Sequence, residues 1–381
     1  MAGTSSLRIG NKQVELAATE LDPKCHTLVT PFNPTVNVAE LSQMAAGMAA
    51  EMAAANAGAR MAASVQSAMG GPAAGKPPPA KPTAAARHNI SLSVRRAAMR
   101  MNWLPMSAET LYGNRMLDQM KDRLVERDEA VGVKLYPQAD ALLKEVLAAV
   151  GVPHAYHFSV HIRADAGENA MALPGGFLVI DKALVADPSR RNKAYFAVAH
   201  EISHVLQRHE TRAVQARIVD TVSLKGSLPD LVKTVRQVHS EPKSVLALVV
   251  VGKLLFEKHF EDQELQADAC AVRLLDTTLN DSRRLRAVLV AFIADLPSAA
   301  PVPARGSAAA KSHPDAGALA DVIELVARPI NRHPSVEARL QNLRTMLADV
   351  EQRPLPAAKP GAKPVVPLPS STPKPGAIKL P

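Results

Sequence analysis

Tyr195 to Glu210 reads YFAVAHEISHVLQRHE and holds His200, Glu201 and His204 in the pattern HExxH. Residues four apart on an α-helix lie on one face, about one turn from each other. His200 and His204 can therefore aim two imidazole nitrogens at one ion. Glu201, next to His200, can reach a water on that ion. This residue set in this pattern implies zinc-assisted peptide hydrolysis with the glutamate as general base. Tyr195, Phe196, Ala197, Val198, Ile202, Val205 and Leu206 supply a mostly apolar helix that a core would bury. The competing reading is a chance match whose histidines are satisfied by local partners. His209 follows His200 by nine positions. On one continuous helix that is the opposite face, so His209 is left out of the ligand set.

The chain has 381 residues, enough for a sizeable core, yet aromatics are only 3%, so the core must rest on Leu, Val, Ile, Met and Ala. Net charge is +9, but Lys and Arg are dispersed among acids and no basic block with interleaved aromatics occurs. Nucleic acid is therefore not an expected partner. Two cysteines, Cys25 and Cys270, make no disulfide framework and no cysteine zinc site. Cys270, in a predicted helix, reads as a small buried hydrophobe, and nothing in the sequence supports a bridge to Cys25. The N-terminus lacks a basic stretch followed by an apolar run. Apolar runs such as Val245 to Val251 are too short to cross a bilayer. As written the chain reads as cytoplasmic; a periplasmic or membrane-associated location is the alternative if the true start lies upstream.

Composition shifts divide the chain. Residues 1–37 are mixed. Residues 38–70 are rich in Ala and Met and favour helix, with Met44, Met48, Met52 and Met61 as a packing face. That stretch is a candidate for membrane-surface contact or self-association. Residues 71–86 are a Pro/Gly/Ala-rich linker, 87–350 the folded body, and 351–381 a proline-rich disordered tail. Within the body, Pro137 to Val150 reads as a helix with proline at its entrance, ending before Gly151. His157 to Ile162 alternates as a strand, and Ala170 to Ile180 reads as two strands around Pro174-Gly175-Gly176. Helical patterns follow. The expected fold is α+β, mainly helical, with a small antiparallel sheet beside the HExxH helix.

A catalytic zinc needs a third protein ligand and an open position. The best candidate is Glu264 in FEDQELQADACAVRLLD, a predicted helix where Asp268 shares its face and Ala267 lets a neighbour approach. Asp268 could hold the second nitrogen of a zinc histidine. The alternative is that these acids form a solvated face, which is the preferred reading for Glu261 and Asp262.

HEISHVLQRH, then ELQAD, then RHPSVEARLQNL, with NAMALPGGFLVIDKAL ahead of them, resembles the HtpX, BepA and CAAX prenyl-protease type of zinc metallopeptidases, over roughly Pro137 to Leu347. The likeness is closest to the soluble BepA-like branch, although the chain carries a proline-rich tail in place of that branch's helical repeats. The resemblance implies a zincin-like gluzincin domain with one zinc ion per chain on His200, His204 and Glu264, and Glu201 as base. It implies that Asn169, Ala170, Pro174, Gly175 and Gly176 belong to an edge along which an extended polypeptide substrate adds as a strand. A plain hairpin turn is the alternative for Pro174-Gly175-Gly176. It also implies that His333 and Arg339 return to the site, where either could stabilise the oxyanion or pair with Asp268; a capping role for His333-Pro334 has equal weight. The activity implied is endopeptidase action on unfolded or misassembled proteins. Two other classes compete: a non-catalytic, zinc-bearing chaperone or adaptor, and an interaction protein acting through its N-terminal helix and proline-rich ends.

Overall fold

The structure, a computed structural model, describes residues 6–9, 12–15, 22, 24–68, 97–165, 167–225, 228–251, 261–296 and 336–353. It opens with a hairpin of β1 (Ser6–Ile9) and β2 (Lys12–Glu15). Helix α1 (Pro34–Ala68) is the Ala/Met-rich stretch. Its Leu41, Met44 and Ala45 are buried, whereas Met61 is 73% exposed. The packing face expected from methionine spacing therefore does not extend to Met61.

Helices α2 (Met106–Asp118) and α3 (Ala130–Ala148) precede the sheet. The sequence puts Pro137 at a helix entrance, but α3 starts earlier and carries it inside. The carbonyl of Val133 then loses its helical partner, on a turn where Val133 is exposed and water can replace it. Strands β3 (Ser159–Arg163), β4 (Ala170–Leu173) and β5 (Phe177–Asp181) form one sheet in the order β3-β5-β4. The expected wholly antiparallel sheet is corrected here: β4 runs antiparallel to β5, but β3 pairs with β5 in parallel, Val160 opposite Leu178. The chain reverses twice between β3 and β5, so those two run the same way. β5, whose Leu178, Val179 and Ile180 are all buried, takes the centre and leaves β4 at one edge.

Pro174-Gly175-Gly176 makes the β4–β5 turn. Gly175 and Gly176 have φ of 90° and 100°, conformations that side chains rarely adopt. The turn packs on α2 so closely that a Cβ on Gly113 would stand 1.9 Å from the Pro174 carbonyl oxygen.

After the short α4 (Lys182–Ala186), a 3-10 turn leads into α5 (Arg191–Leu206), the HExxH helix. Then come α6 (His209–Lys225), α7 (Leu228–Ser240), α8 (Pro242–Val251), α9 (Glu261–Leu279), α10 (Ser282–Asp295) and α11 (Val336–Glu351). The helix expected over Gly317 to Ala327 lies outside the described residues.

Two cores result. One joins α3, α5, α9, α10 and α11 to a face of the sheet, through residues such as Phe196, Ile202, Ala271 and Leu343. The other joins α1, α2, α6, α7 and α8 around Trp103 and Leu104. Residues ahead of position 87 enter both. Cys25 and Leu28 belong to the first core and Leu41 and Met44 to the second. The folded body therefore reaches further toward the N-terminus than the composition shift at the linker suggests. Cys25 is disulfide-bonded to Cys270 of α9, with Cα atoms 5.1 Å apart. This corrects the reading of Cys270 as a simple buried hydrophobe: it is buried, but as half of a covalent link between the N-terminal segment and α9.

Candidate metal centre

Helix α5 lies against α9 with Ala199, Ala267 and Ala271 fully buried between them, so the two backbones approach closely. This brings the carboxylate of Glu264 to the two histidines. His200 Nε2 and His204 Nε2 are 3.0 Å apart. Glu264 Oε2 lies 3.4 Å from the first and Oε1 3.3 Å from the second. These atoms all fall within 4.8 Å of one another, in a group that could hold a metal ion. Two ligands on a tetrahedral ion with bonds of about 2.0–2.1 Å stand roughly 3.3 Å apart, so the donor set and its spacing fit zinc.

The charges around the three ligands are buried and paired. Arg339, from α11, meets Asp268 through Nε at 3.0 Å and through Nη2 at 2.7 Å, and lies 3.3 Å from Glu264 Oε2. Of the two roles implied for Arg339, the pairing with Asp268 is the one its geometry serves. Its guanidinium meets two carboxylates, those of Asp268 and Glu264. Asp268 in turn lies 2.9 Å from His200 Nδ1. Burial alone would raise the Asp268 carboxyl, but Arg339 and His200 outweigh it and hold it below the ordinary range. Burial likewise disfavours a charged His200, yet its contacts with Asp268 and Glu264 push it up to about 9 in the metal-free site. Among Glu201, Glu264, Asp268 and Arg339, all buried, three carboxylates face one guanidinium. With His200 neutral, as a metal ligand must be, the excess of two negative charges is what a divalent cation would neutralise.

Glu201 is held from the sheet. Its Oε2 accepts the backbone N–H of Ala172 at 2.7 Å. Ala172 is in β4, so the side of β4 turned away from β5 faces the proposed base. Asn169 flanks that strand: its N–H donates to Asp181 Oδ2 at 2.9 Å, and its carbonyl accepts the Asp181 N–H at 2.8 Å. Ala170 is buried in β4. Phe177 and Leu178, past the turn, belong to the central strand β5. Pro174, Gly175 and Gly176 form the turn beyond β4.

A model of peptidase family M48 matches residues 135–347. The chain belongs to peptidase family M48. No curated protein matches the chain. Membership supports a metallopeptidase at the level of the family, and His200, His204 and Glu264, a group that could hold a metal ion, lie within the matched span. No helix among the described residues is long and apolar enough to cross a membrane.

The HExxH helix does not run on to Glu210. It stops at Leu206, because Arg208 takes a left-handed φ of 59°. That conformation costs roughly 1–2 kcal/mol in a residue with a side chain. It is offset by a fully buried guanidinium that pairs with Glu109, donates to the Leu104 carbonyl at 2.7 Å and stacks 3.6 Å over Phe32. The break swings His209 back, and its Nδ1 lies 2.9 Å from His204 Nδ1. The opposite-face placement of His209 is therefore corrected, since it assumed an unbroken helix. His333 lies outside the described residues. Sequence reasoning missed the Ala172 amide, the role of His209, and Gln207 and Gln266 behind it. Only Gln266 carried a signal, as the middle of ELQAD.

Proposed function

We propose that the chain is a zinc-dependent endopeptidase acting on unfolded or misassembled polypeptides. The observation that carries the reading is the convergence of His200 Nε2, His204 Nε2 and the Glu264 carboxylate on one buried point beside Glu201. His200, His204 and Glu264 would hold one zinc ion. When bound, zinc lowers the pKa of a water and polarises the scissile carbonyl. Glu201 takes the proton of the attacking water and passes it to the leaving amine. The Ala172 amide keeps the Glu201 carboxylate aimed while the proton is held. The carbonyls on the outer side of β4 offer the substrate main-chain acceptors, placing the scissile bond next to Glu201. Asp268, braced by Arg339, orients His200. His333 stays the candidate for the oxyanion.

The buried Cys25–Cys270 bridge favours an oxidising compartment, such as the periplasm, over the cytoplasm. The test of the activity is metal analysis joined to peptide-library digestion of wild type and Glu201→Gln. Equal metal in both, with cleavage by wild type alone, supports the proposal. Equal cleavage by both removes Glu201 as base.

A further inference from the structure

Each zinc-bound histidine must present one bare ring nitrogen, and the partner of its other nitrogen decides which one is bare. For His200 that partner is a carboxylate, Asp268. For His204 it is a second imidazole, that of His209. His204 Nδ1 faces His209 Nδ1 at 2.9 Å, and His209 Nε2 lies 3.1 Å from Gln266 Oε1. Gln266 Nε2 donates to Gln207 Oε1 at 2.9 Å, and Gln207 Nε2 donates to the carbonyls of Thr27 at 2.6 Å and Leu28 at 3.0 Å. His204, His209, Gln266 and Gln207 are all buried.

The chain of contacts has one direction, and its far end sets it. Carbonyl oxygens only accept, so the Gln207 amide must turn its NH₂ to Thr27 and Leu28. Its Oε1 then faces Gln266 and the Thr30 hydroxyl, which donates to it at 2.7 Å. That oxygen also only accepts, so Gln266 presents its NH₂ to Gln207 and its Oε1 to His209. His209 Nε2 must then carry the ring proton. A neutral imidazole has one N–H, so His209 Nδ1 is bare and accepts. The proton between the two rings belongs to His204 Nδ1, and His204 Nε2, the atom facing Glu264, is left with its lone pair exposed.

We infer that His209 is a positioning residue for the metal centre, and that the direction of the His204–His209–Gln266–Gln207 chain, anchored on the Thr27 and Leu28 carbonyls, fixes the tautomer in which His204 binds metal. The inference rests on the zinc reading above. It makes the N-terminal segment, held by the Thr30 N–H to the Leu206 carbonyl at 3.0 Å and by the Cys25–Cys270 bridge, a working part of the site.

The test measures zinc affinity of the full chain by chelator competition, alongside thermal stability of the metal-free proteins. His209→Leu fills the volume but offers no acceptor; His209→Asn can place Oδ1 where Nδ1 stood and accept from His204. We expect His209→Leu to weaken zinc binding about ten- to a hundredfold, the range for lost partners of zinc histidines, and His209→Asn to recover most of it. A filler role would rank the variants the other way, since Leu suits an apolar volume better than Asn. Wild-type zinc affinity in His209→Leu, or an Asn variant no better than Leu, overturns the inference while leaving the zinc reading intact. A wild type that holds no zinc overturns both. If His209→Leu does not fold, Gln266→Met decides: it leaves the two rings in contact and removes the acceptor behind them. A several-fold loss of affinity supports the inference, and none overturns it.

Discussion

Arg339 grips Asp268 through two parallel contacts, at 3.0 and 2.7 Å, and does so in the buried interior next to the proposed metal ligands. Breaking a buried pair from one side costs about 3–5 kcal/mol, because the remaining charge is uncompensated. Arg339→Leu leaves Asp268 and Glu264 in that position. The expected result is a large fall in melting temperature of the metal-free protein and a smaller fall with zinc added. Differential scanning fluorimetry with and without zinc checks this; equal falls in both would detach Arg339 from the metal centre.

Glu264→Ala removes one donor of three while Arg339 keeps its bidentate partner. Bound zinc measured by mass spectrometry should drop well below one ion per chain. Full stoichiometry in the variant would remove Glu264 from the ligand set.

The Ala172 amide tests how the base is held. Ala172→Pro deletes the N–H that meets Glu201 Oε2, and that amide points away from β5, so the strand pairing does not need it. Zinc content should be unchanged, and kcat should fall between about tenfold and a hundredfold, short of the upper end of the ~10²–10⁴ that a general base contributes. An unchanged kcat with normal zinc would leave the amide contact without catalytic consequence.

Peptide mapping under non-reducing conditions should recover the Cys25 and Cys270 peptides as one species that reductant separates. Cys25→Ala with Cys270→Ala should cost about 2–5 kcal/mol of stability in denaturant titration. Free thiols at both positions in protein exported to an oxidising compartment would count against the bridge.

Gly113→Ala would drive a methyl into the Pro174 carbonyl oxygen at the hairpin turn. The turn or α2 must shift, at a cost of about 1–3 kcal/mol. Since β4 leaves that turn, peptide cleavage should suffer more than zinc binding; a fully stable, fully active variant would show that the contact yields freely.

The parts of this fold that can be read from sequence are those whose signals are local. Ligand spacing and apolar periodicity coincide from Tyr195 to Leu206, and Glu264 sits in a helical pattern beside small residues. The break at Arg208 is not legible, because nothing in a Gln-Arg-His triplet demands a left-handed residue. It is held by Glu109, Leu104 and Phe32, which lie far off in sequence. The position of His209 depends on the same break. The parallel pairing of β3 with β5 depends on which strand wins the centre, a matter of burial rather than alternation. Two cysteines so far apart in the chain give no pairing signal before the fold brings them together.

The bridge also bears on where this chain can be cut. A polypeptide trimmed to the matched residues 135–347 would retain Cys270 but not Cys25, and Gln207 but neither the Thr27 nor the Leu28 carbonyl. It would carry every proposed metal ligand, yet expose an unmated thiol and leave an amide facing empty space where backbone once stood. For this chain the span drawn by likeness leaves out Cys25, Thr27 and Leu28, to which residues inside it are tied by a covalent bond and by hydrogen bonds.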